Sequence, residues 1–268
     1  MARKILLLLG CVLLWACESS SDRQVVVRRG RATEAAGGVE AAERRNEGTA
    51  EGGVVLVLGT SLTAGYGLEL DQAFPALIQG KIDSAGLPFR VVNAGVSGET
   101  SAGGLRRIDW LLREPIAVLV LELGANDGLR GQPPVEMKRN LQQIISRTRT
   151  AHRGARVVIA GMEAPPNLGR RYTREFRQVF VDIAREHDAT LIPFLLEGVG
   201  GVAELNQADG IHPTAEGQRI VAENVWRVLE PVLVEAVGRN DGRTERGNDG
   251  TMEGRNDGTP NPGTYPNC

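Results

Sequence analysis

The stretch Val54-Val-Leu-Val-Leu-Gly-Thr-Ser-Leu-Thr-Ala-Gly-Tyr-Gly-Leu68 decides the fold class of this chain. Its first five residues are all apolar, a run too short for a helix and too uniformly apolar for a half-exposed strand. It therefore predicts a strand that is covered on both faces, as in a parallel sheet. Gly59 ends the run, and Ser61 follows at the carboxyl end of the strand, where open α/β sheets bind ligands. A serine there is either a nucleophile or an ordinary N-cap of the next helix.

Strand and helix patterns alternate along the rest of the central region. Further strand patterns span residues 89–94, 116–123, 156–160 and 190–194. Apolar residues at helical spacing predict amphipathic helices that include residues 137–145, 176–183 and 221–232. Strands joined by helices form right-handed crossovers, so the sequence predicts an α/β fold, a three-layer α/β/α sandwich with a five-stranded parallel sheet.

Three loops rich in Gly, Asn and Ser follow the first three strands of this sheet. They are residues 59–61, 93–100 and 124–131. Because the carboxyl ends of parallel strands open on the same rim, these loops are expected to converge there.

A serine nucleophile needs a base, and the chain contains only three histidines. His152 and His187 lie among charged residues near predicted helix ends, which is typical of solvated surface. His212 stands in a turn before the last helix, with Thr214 as a candidate N-cap. Asp209, three residues earlier, is placed to accept the Nδ1–H of His212 and leave Nε2 free to take a proton. The alternative is that Asp209 and His212 are ordinary turn and capping residues.

Several short motifs follow one another in a fixed order along the chain: Gly59-x-Ser61-Leu62, Ala64-Gly-Tyr-Gly67, Gly95, Gly124-x-Asn126-Asp127 and Asp209-x-x-His212-Pro213. In these ordered blocks the chain resembles the SGNH (GDSL-like) hydrolase superfamily, and within it the bacterial thioesterase I, lysophospholipase L1 and arylesterase group. The likeness covers residues 54 to 235. It implies the flavodoxin-like fold of that superfamily.

The resemblance also implies the roles of the site residues. Ser61 matches the nucleophile, His212 the general base and then acid, and Asp209 the residue that orients the histidine. The backbone N–H groups of Ser61 and Gly95 and the side-chain amide of Asn126 match an oxyanion hole, whose donors stabilise the tetrahedral intermediate. No metal or organic cofactor is implied.

One residue departs from the superfamily pattern. The superfamily usually has Asp immediately before the nucleophile, whereas this chain has Thr60. The triad acid matches Asp209, so the mechanism is expected to survive. Thr60 removes a negative charge and a strong acceptor near Ser61, which predicts an effect on loop order or pH dependence.

The expected function is hydrolysis of carboxylic ester or thioester bonds through an acyl-enzyme, with a small acyl ester as the partner. Residues 1–16 have the layout of an export signal. Export argues against long-chain acyl-CoA, which is a cytosolic pool, and favours aryl or short-chain esters and lysophospholipids. Two alternatives stay open. One is a deacetylase of acetylated polysaccharides, and the other is a surface-tethered binding protein without activity, for which Thr60 is the hint.

The first residues have the layout of a secretory signal peptide, with Arg3 and Lys4 before an apolar core. That core is too short to span a membrane by itself. Residues 14–17 resemble the lipobox of bacterial lipoproteins and predict a leader of residues 1–16, with Cys17 acylated at the start of the mature chain. An exported, membrane-anchored protein of the cell envelope is therefore expected, with export and nearby cleavage without a lipid as the alternative.

The remaining segments predict a simple domain organisation. Residues 17–52 have few apolar side chains and predict a flexible linker, and residues 53–237 are long enough for one hydrolase domain. Residues 238–268 repeat an Asn-Asp-Gly unit without an apolar face and predict a disordered tail. The repeat lacks the features of known calcium-binding repeats, so it does not favour calcium.

Composition narrows the range of partners. The net charge is −2 and there is no basic stripe, so nucleic acid is not an expected partner. The three cysteines are Cys11 in the leader, Cys17 and Cys268, which predict neither a disulfide framework nor a metal cluster. The sequence does not indicate an oligomeric state.

Overall fold

The computed structural model describes residues 52–244, with side chains described through residue 237. The predicted leader and the predicted linker up to residue 51, including Cys17, lie outside the described residues. The strands are β1 (Gly53–Gly59), β2 (Phe89–Gly95), β3 (Ile116–Glu122), β4 (Arg156–Ala160) and β5 (Thr190–Ile192). The α-helices are α1 (Ser61–Ala64), α2 (Phe74–Ser84), α3 (Ser101–Leu111), α4 (Ala125–Leu129), α5 (Pro134–Ala151), α6 (Arg170–Glu186) and α7 (Ala215–Thr244).

The five strands form one parallel sheet in the order β2-β1-β3-β4-β5, which confirms the predicted sheet. Strand β2 pairs with one edge of β1, and β3 pairs with the other edge. The strand order therefore reverses beside the carboxyl ends of β1 and β3. Such a switch point opens a crevice, and Ser61 and Asn126 both follow strands that border it.

Burial explains why these segments adopt these structures. The apolar run of β1 is buried on both faces, as is nearly all of β3. The helices α5 and α6 each bury one apolar face, as the helical spacing predicts. The large, fully buried side chains of these faces include Met137, Ile144, Phe176 and Phe180.

Helices cover the sheet on both sides. The helices α2 and α7 pack against each other, and α7 also contacts β4 and β5. On the other face α3 packs on α5, and α5 packs on α6. The predicted three-layer α/β/α sandwich is therefore confirmed.

Two element boundaries differ from the sequence prediction. Strand β5 ends at Ile192, because Pro193 has no N–H to donate to a sheet ladder. Helix α7 continues to Thr244 and so passes the predicted domain end at residue 237. Extending an existing helix needs no new nucleation, which allows the polar start of the predicted tail to remain helical. Residues 245–268 of that tail lie outside the described residues.

Within residues 52–244 none of the helices combines the length and the apolar character that crossing a bilayer requires.

Candidate active site

The first part of the site is the tight turn between β1 and α1. Thr60 is extended, and its hydroxyl accepts the Leu62 N–H at 3.4 Å, so Thr60 caps the short helix that begins at Ser61. Gly65 ends that helix with a φ of 71°, in the left-handed region that glycine adopts without strain. Ser61 thus lies half-buried at the carboxyl edge of the sheet.

The second part is the loop that leads into α7. Asp209 Oδ1 accepts the backbone N–H groups of Ile211 at 3.0 Å and His212 at 3.1 Å, which closes the turn through Gly210. Thr214 accepts the N–H of Gly217 at 3.2 Å and caps α7, as predicted. The turn and the cap together fix where His212 stands.

These two loops bring Ser61, His212 and Asp209 into one hydrogen-bonded chain. His212 Nδ1 lies 2.6 Å from Asp209 Oδ2, and His212 Nε2 lies 2.8 Å from Ser61 Oγ. Asp209 accepts the Nδ1–H, so the tautomer leaves Nε2 to accept the proton of the Ser61 hydroxyl. The arrangement can activate Ser61 as a nucleophile.

The charge of Asp209 suits this role. The hydrogen bond from His212, together with the N–H groups of Ile211 and His212, lowers the pKa of Asp209 to about 2. Asp209 is therefore ionised at neutral pH and can stabilise an imidazolium on His212.

A cavity of about 670 Å³ opens beside Ser61 and His212, and its walls are mainly apolar. Side chains that form these walls include Leu62, Leu129, Met162, Phe194, Leu196 and Ile211. Asn126 also reaches the cavity, and its Nδ2 donates to the Glu99 carbonyl at 3.0 Å. One of the two amide hydrogens is thereby used, and the other is available to a ligand.

Gly95 does not line this cavity. Its N–H donates to Asn93 Oδ1 at 3.0 Å, and a Cβ at Gly95 would lie only 2.3 Å from the Ala64 nitrogen. Gly95 therefore lets β2 approach α1. Gly98 lines the cavity instead, and within residues 52–244 its N–H makes no hydrogen bond to the protein.

The family model of the GDSL-like Lipase/Acylhydrolase family matches residues 57–220, which include the turn at Ser61 and the loop at His212. The chain belongs to this family. It is a serine ester hydrolase.

Two relatives and one solved structure show how close this GDSL-like hydrolase is to known proteins. Esterase TesA of Pseudomonas aeruginosa is 46% identical over 67% of this chain and 89% of its own length. The protein named thioesterase 1/protease 1/lysophospholipase L1 of Escherichia coli is 39% identical over 67% of this chain and 84% of its own length. A crystal structure of TesA is 45% identical, with a TM-score of 0.64, over 67% of this chain and 99% of that chain.

Two side chains that the sequence analysis missed hold the loops of this GDSL-like hydrolase together. Gln207 Nε2 donates to the Tyr66 carbonyl at 2.7 Å and to the Pro213 carbonyl at 3.0 Å. The Tyr66 ring packs against the His212 ring with centroids 4.4 Å apart. The sequence motifs contain Tyr66 and His212, but their spacing carries no signal that the two rings meet.

The other two histidines lie outside the cavity, at the carboxyl ends of α5 and α6. Both are half-buried. His152 Nε2 lies 3.0 Å from the Leu112 carbonyl, so it joins the end of α5 to the end of α3. Burial lowers the pKa of His187, with a smaller contribution from nearby Arg149.

Proposed function

We propose that Ser61, His212 and Asp209 catalyse two-step acyl transfer from carboxylic esters and thioesters to water. The observation that supports this proposal is the hydrogen-bonded chain from Asp209 through His212 to Ser61, at 2.6 and 2.8 Å, beside an apolar cavity. The proposal does not depend on any cofactor.

In the first step Ser61 Oγ bonds to the carbonyl carbon of the substrate while His212 Nε2 accepts the hydroxyl proton. The tetrahedral intermediate then expels the alcohol or thiol, which takes that proton from Nε2. In the second step a water molecule gives a proton to Nε2 and attacks the acyl-enzyme, and the free acid leaves as Ser61 is reprotonated. Asp209 stays ionised throughout because its pKa is about 2.

The oxyanion of each intermediate needs fixed donors. We propose the Ser61 N–H, the Gly98 N–H and the second Nδ2 hydrogen of Asn126, with Gly98 in place of Gly95. The support is that all three residues line the cavity, while the N–H of Gly95 is already bound to Asn93. Such donors act where negative charge develops during the reaction.

The substrate class follows from the walls of the cavity. Apolar side chains around Ser61 favour an acyl group of carbon chains over a sugar, whose hydroxyls would need polar partners. The names of the relatives include esterase, thioesterase and lysophospholipase. We therefore propose aryl or short-chain acyl esters and lysophospholipids as substrates.

The test is a hydrolysis profile of the purified chain across nitrophenyl esters from acetate to palmitate, a lysophospholipid, an acyl thioester and acetylated xylan. We expect turnover of acyl esters that disappears in Ser61→Ala, with the fold retained by circular dichroism. Turnover of acetylated xylan alone would contradict the proposed substrate class. Equal rates for the wild type and Ser61→Ala would contradict the proposed mechanism.

We further propose that the chain is exported and anchored in the cell envelope by a lipid on Cys17. The support is the sequence of residues 1–17 alone, since these residues lie outside the described part of the structure. The test is labelling of producing cells with radioactive palmitate, followed by membrane fractionation. We expect the label and the membrane association in the wild type and neither in Cys17→Ser; an unlabelled wild-type protein would contradict the anchor.

A further inference from the structure

Glu122 lies beneath the nucleophile turn, which is residues 59–63, and the acyl-transfer steps do not use it. It is the last residue of β3 and pairs in register with Gly59 of β1. Its side chain is fully buried. Burying a carboxyl group is unfavourable unless hydrogen bonds compensate, so the donors around Glu122 decide what it does.

The donors come from the two threonines that flank Ser61. The Thr60 N–H donates to Glu122 Oε2 at 2.8 Å, and the Thr63 hydroxyl donates to the same oxygen at 2.7 Å. The Thr60 hydroxyl lies 3.1 Å from both carboxyl oxygens. The Glu122 carboxyl group thus accepts hydrogen bonds from the turn on both sides of Ser61, from Thr60 before it and from Thr63 after it.

The residues around this carboxylate fit it closely. A Cβ at Gly59 would lie 2.0 Å from Thr63 Oγ1 and 2.5 Å from Glu122 Oε2, so glycine makes room for the contact. Thr60 carries a hydroxyl that donates, whereas an ionised Asp only accepts. An ionised Asp at position 60 would leave the Glu122 carboxyl without this hydroxyl donor, so Thr60 is matched to Glu122.

We propose that Glu122 is a positioning residue for Ser61, an inference that rests on the proposed function. Through Thr60 and Thr63 its carboxylate directs Ser61 Oγ to His212 and the Ser61 N–H to the cavity. Other side chains bind the carbonyl groups that follow Ser61. Asn93 donates to the Thr63 carbonyl, and Gln218 donates to the Leu62 carbonyl. Within residues 52–244 only Glu122 has a side chain that accepts the N–H of residue 60.

The first test compares Thr63→Val, which removes one donor, with Thr63→Ser, which keeps it. We expect Thr63→Val to lower kcat about 10- to 100-fold with KM nearly unchanged, because small displacements of a reacting group have costs of this size. Thr63→Ser should recover most of that loss.

The matched control is Thr148→Val. Thr148 is also fully buried, and its hydroxyl donates to the Ile144 carbonyl at 2.9 Å within α5. This variant should lose stability and keep kcat. If Thr63→Val and Thr148→Val have the same kcat, the inference is overturned.

The second test separates the reach of the side chain from its charge and does not depend on Thr63. Glu122→Asp keeps the charge but withdraws the carboxylate by one methylene, whereas Glu122→Gln keeps the reach and an acceptor oxygen. We expect Glu122→Asp to lower kcat more than Glu122→Gln, with KM similar in both. Wild-type kcat in Glu122→Asp overturns the positioning role. An active Ser61→Ala variant overturns the proposed function instead, so the two failures are distinguishable.

Discussion

His212 Nε2 lies 2.8 Å from Ser61 Oγ, although the two residues are 151 positions apart in the chain. The contact joins the loop before α7 to the turn after β1, at the point where the strand order of the sheet reverses. A hydroxyl and an imidazole at this distance can exchange a proton without further movement of the backbone.

Removing either partner of this contact should abolish ester hydrolysis. We expect Ser61→Ala and His212→Gln each to lower kcat by about 10⁴-fold or more, because the nucleophile and its base act as one unit. The measurement is the steady-state hydrolysis of a nitrophenyl ester. His187→Gln serves as the control and should retain activity, since His187 lies outside the cavity. Residual activity in His212→Gln close to that of the wild type would contradict the assignment of the base.

Replacing the orienting carboxylate should impair catalysis less completely. Asp209→Asn keeps the size of the side chain but cannot fix the same histidine tautomer or stabilise the imidazolium. We expect kcat to fall between about 10²- and 10⁴-fold, with KM little changed. Steady-state kinetics at pH 8 measures the effect, and unchanged kcat would show that the 2.6 Å contact with His212 has no catalytic role.

The same carboxylate should make stability depend on pH in the acid range. Hydrogen bonds from His212 and from the N–H of Ile211 lower the pKa of Asp209 to about 2, below its ordinary value of about 3.9. A lowered pKa gives stability that is present above pH 4 and is lost as pH falls towards 2. The difference in Tm between wild type and Asp209→Asn should therefore shrink from pH 5 to pH 2. A difference that stays constant over this range would contradict the prediction.

Glu122 should have the opposite effect in the neutral range. Burial raises the pKa of Glu122 to about 7, against hydrogen bonds from Thr60 and Thr63 that lower it. A raised pKa means that the folded state holds its proton more tightly, so the contribution of Glu122 to stability falls as pH rises from about 4.3 to 7. Glu122→Gln does not titrate, so its unfolding free energy relative to wild type should rise by roughly 3 kcal/mol over this window. Urea unfolding at pH 4, 6 and 8 tests this, and a pH-independent difference would contradict it.

Loss of the Asn126 amide should affect the transition state more than the bound substrate. We expect Asn126→Ala to lower kcat about 10²- to 10³-fold with a similar KM, as for the loss of one oxyanion donor. Asn140→Ala is the control. The Asn140 amide donates to Ser101 Oγ at 3.0 Å, and neither residue lines the cavity. Equal kcat values for the two variants would exclude Asn126 from the oxyanion hole.

Local patterns were sufficient for most of the fold. The apolar run of β1 and the helical spacing in α5 and α6 depend on near neighbours in the chain, and the structure has these elements at the predicted places. Boundaries were less predictable where a single residue decides them, as Pro193 does at the end of β5.

The oxyanion donors show where local patterns stop being informative. Gly95 is the last residue of β2 and Gly98 lies three residues later, in a segment rich in Gly, Asn and Ser that is typical of a ligand-binding loop. Which N–H reaches the cavity depends on the path of the backbone, because Gly95 is packed against Ala64 and bound to Asn93.

The sequence by itself determined the parallel sheet, the order of its motifs and the residue types needed for acyl transfer, because these depend on apolar periodicity and side-chain chemistry. Only the tertiary structure decided that Glu122 lies beneath Ser61, that Gln207 joins Tyr66 to the loop of His212, and that Gly98 replaces Gly95 at the cavity. These contacts join segments that lie on different elements, so their geometry depends on how the whole sheet and its helices pack.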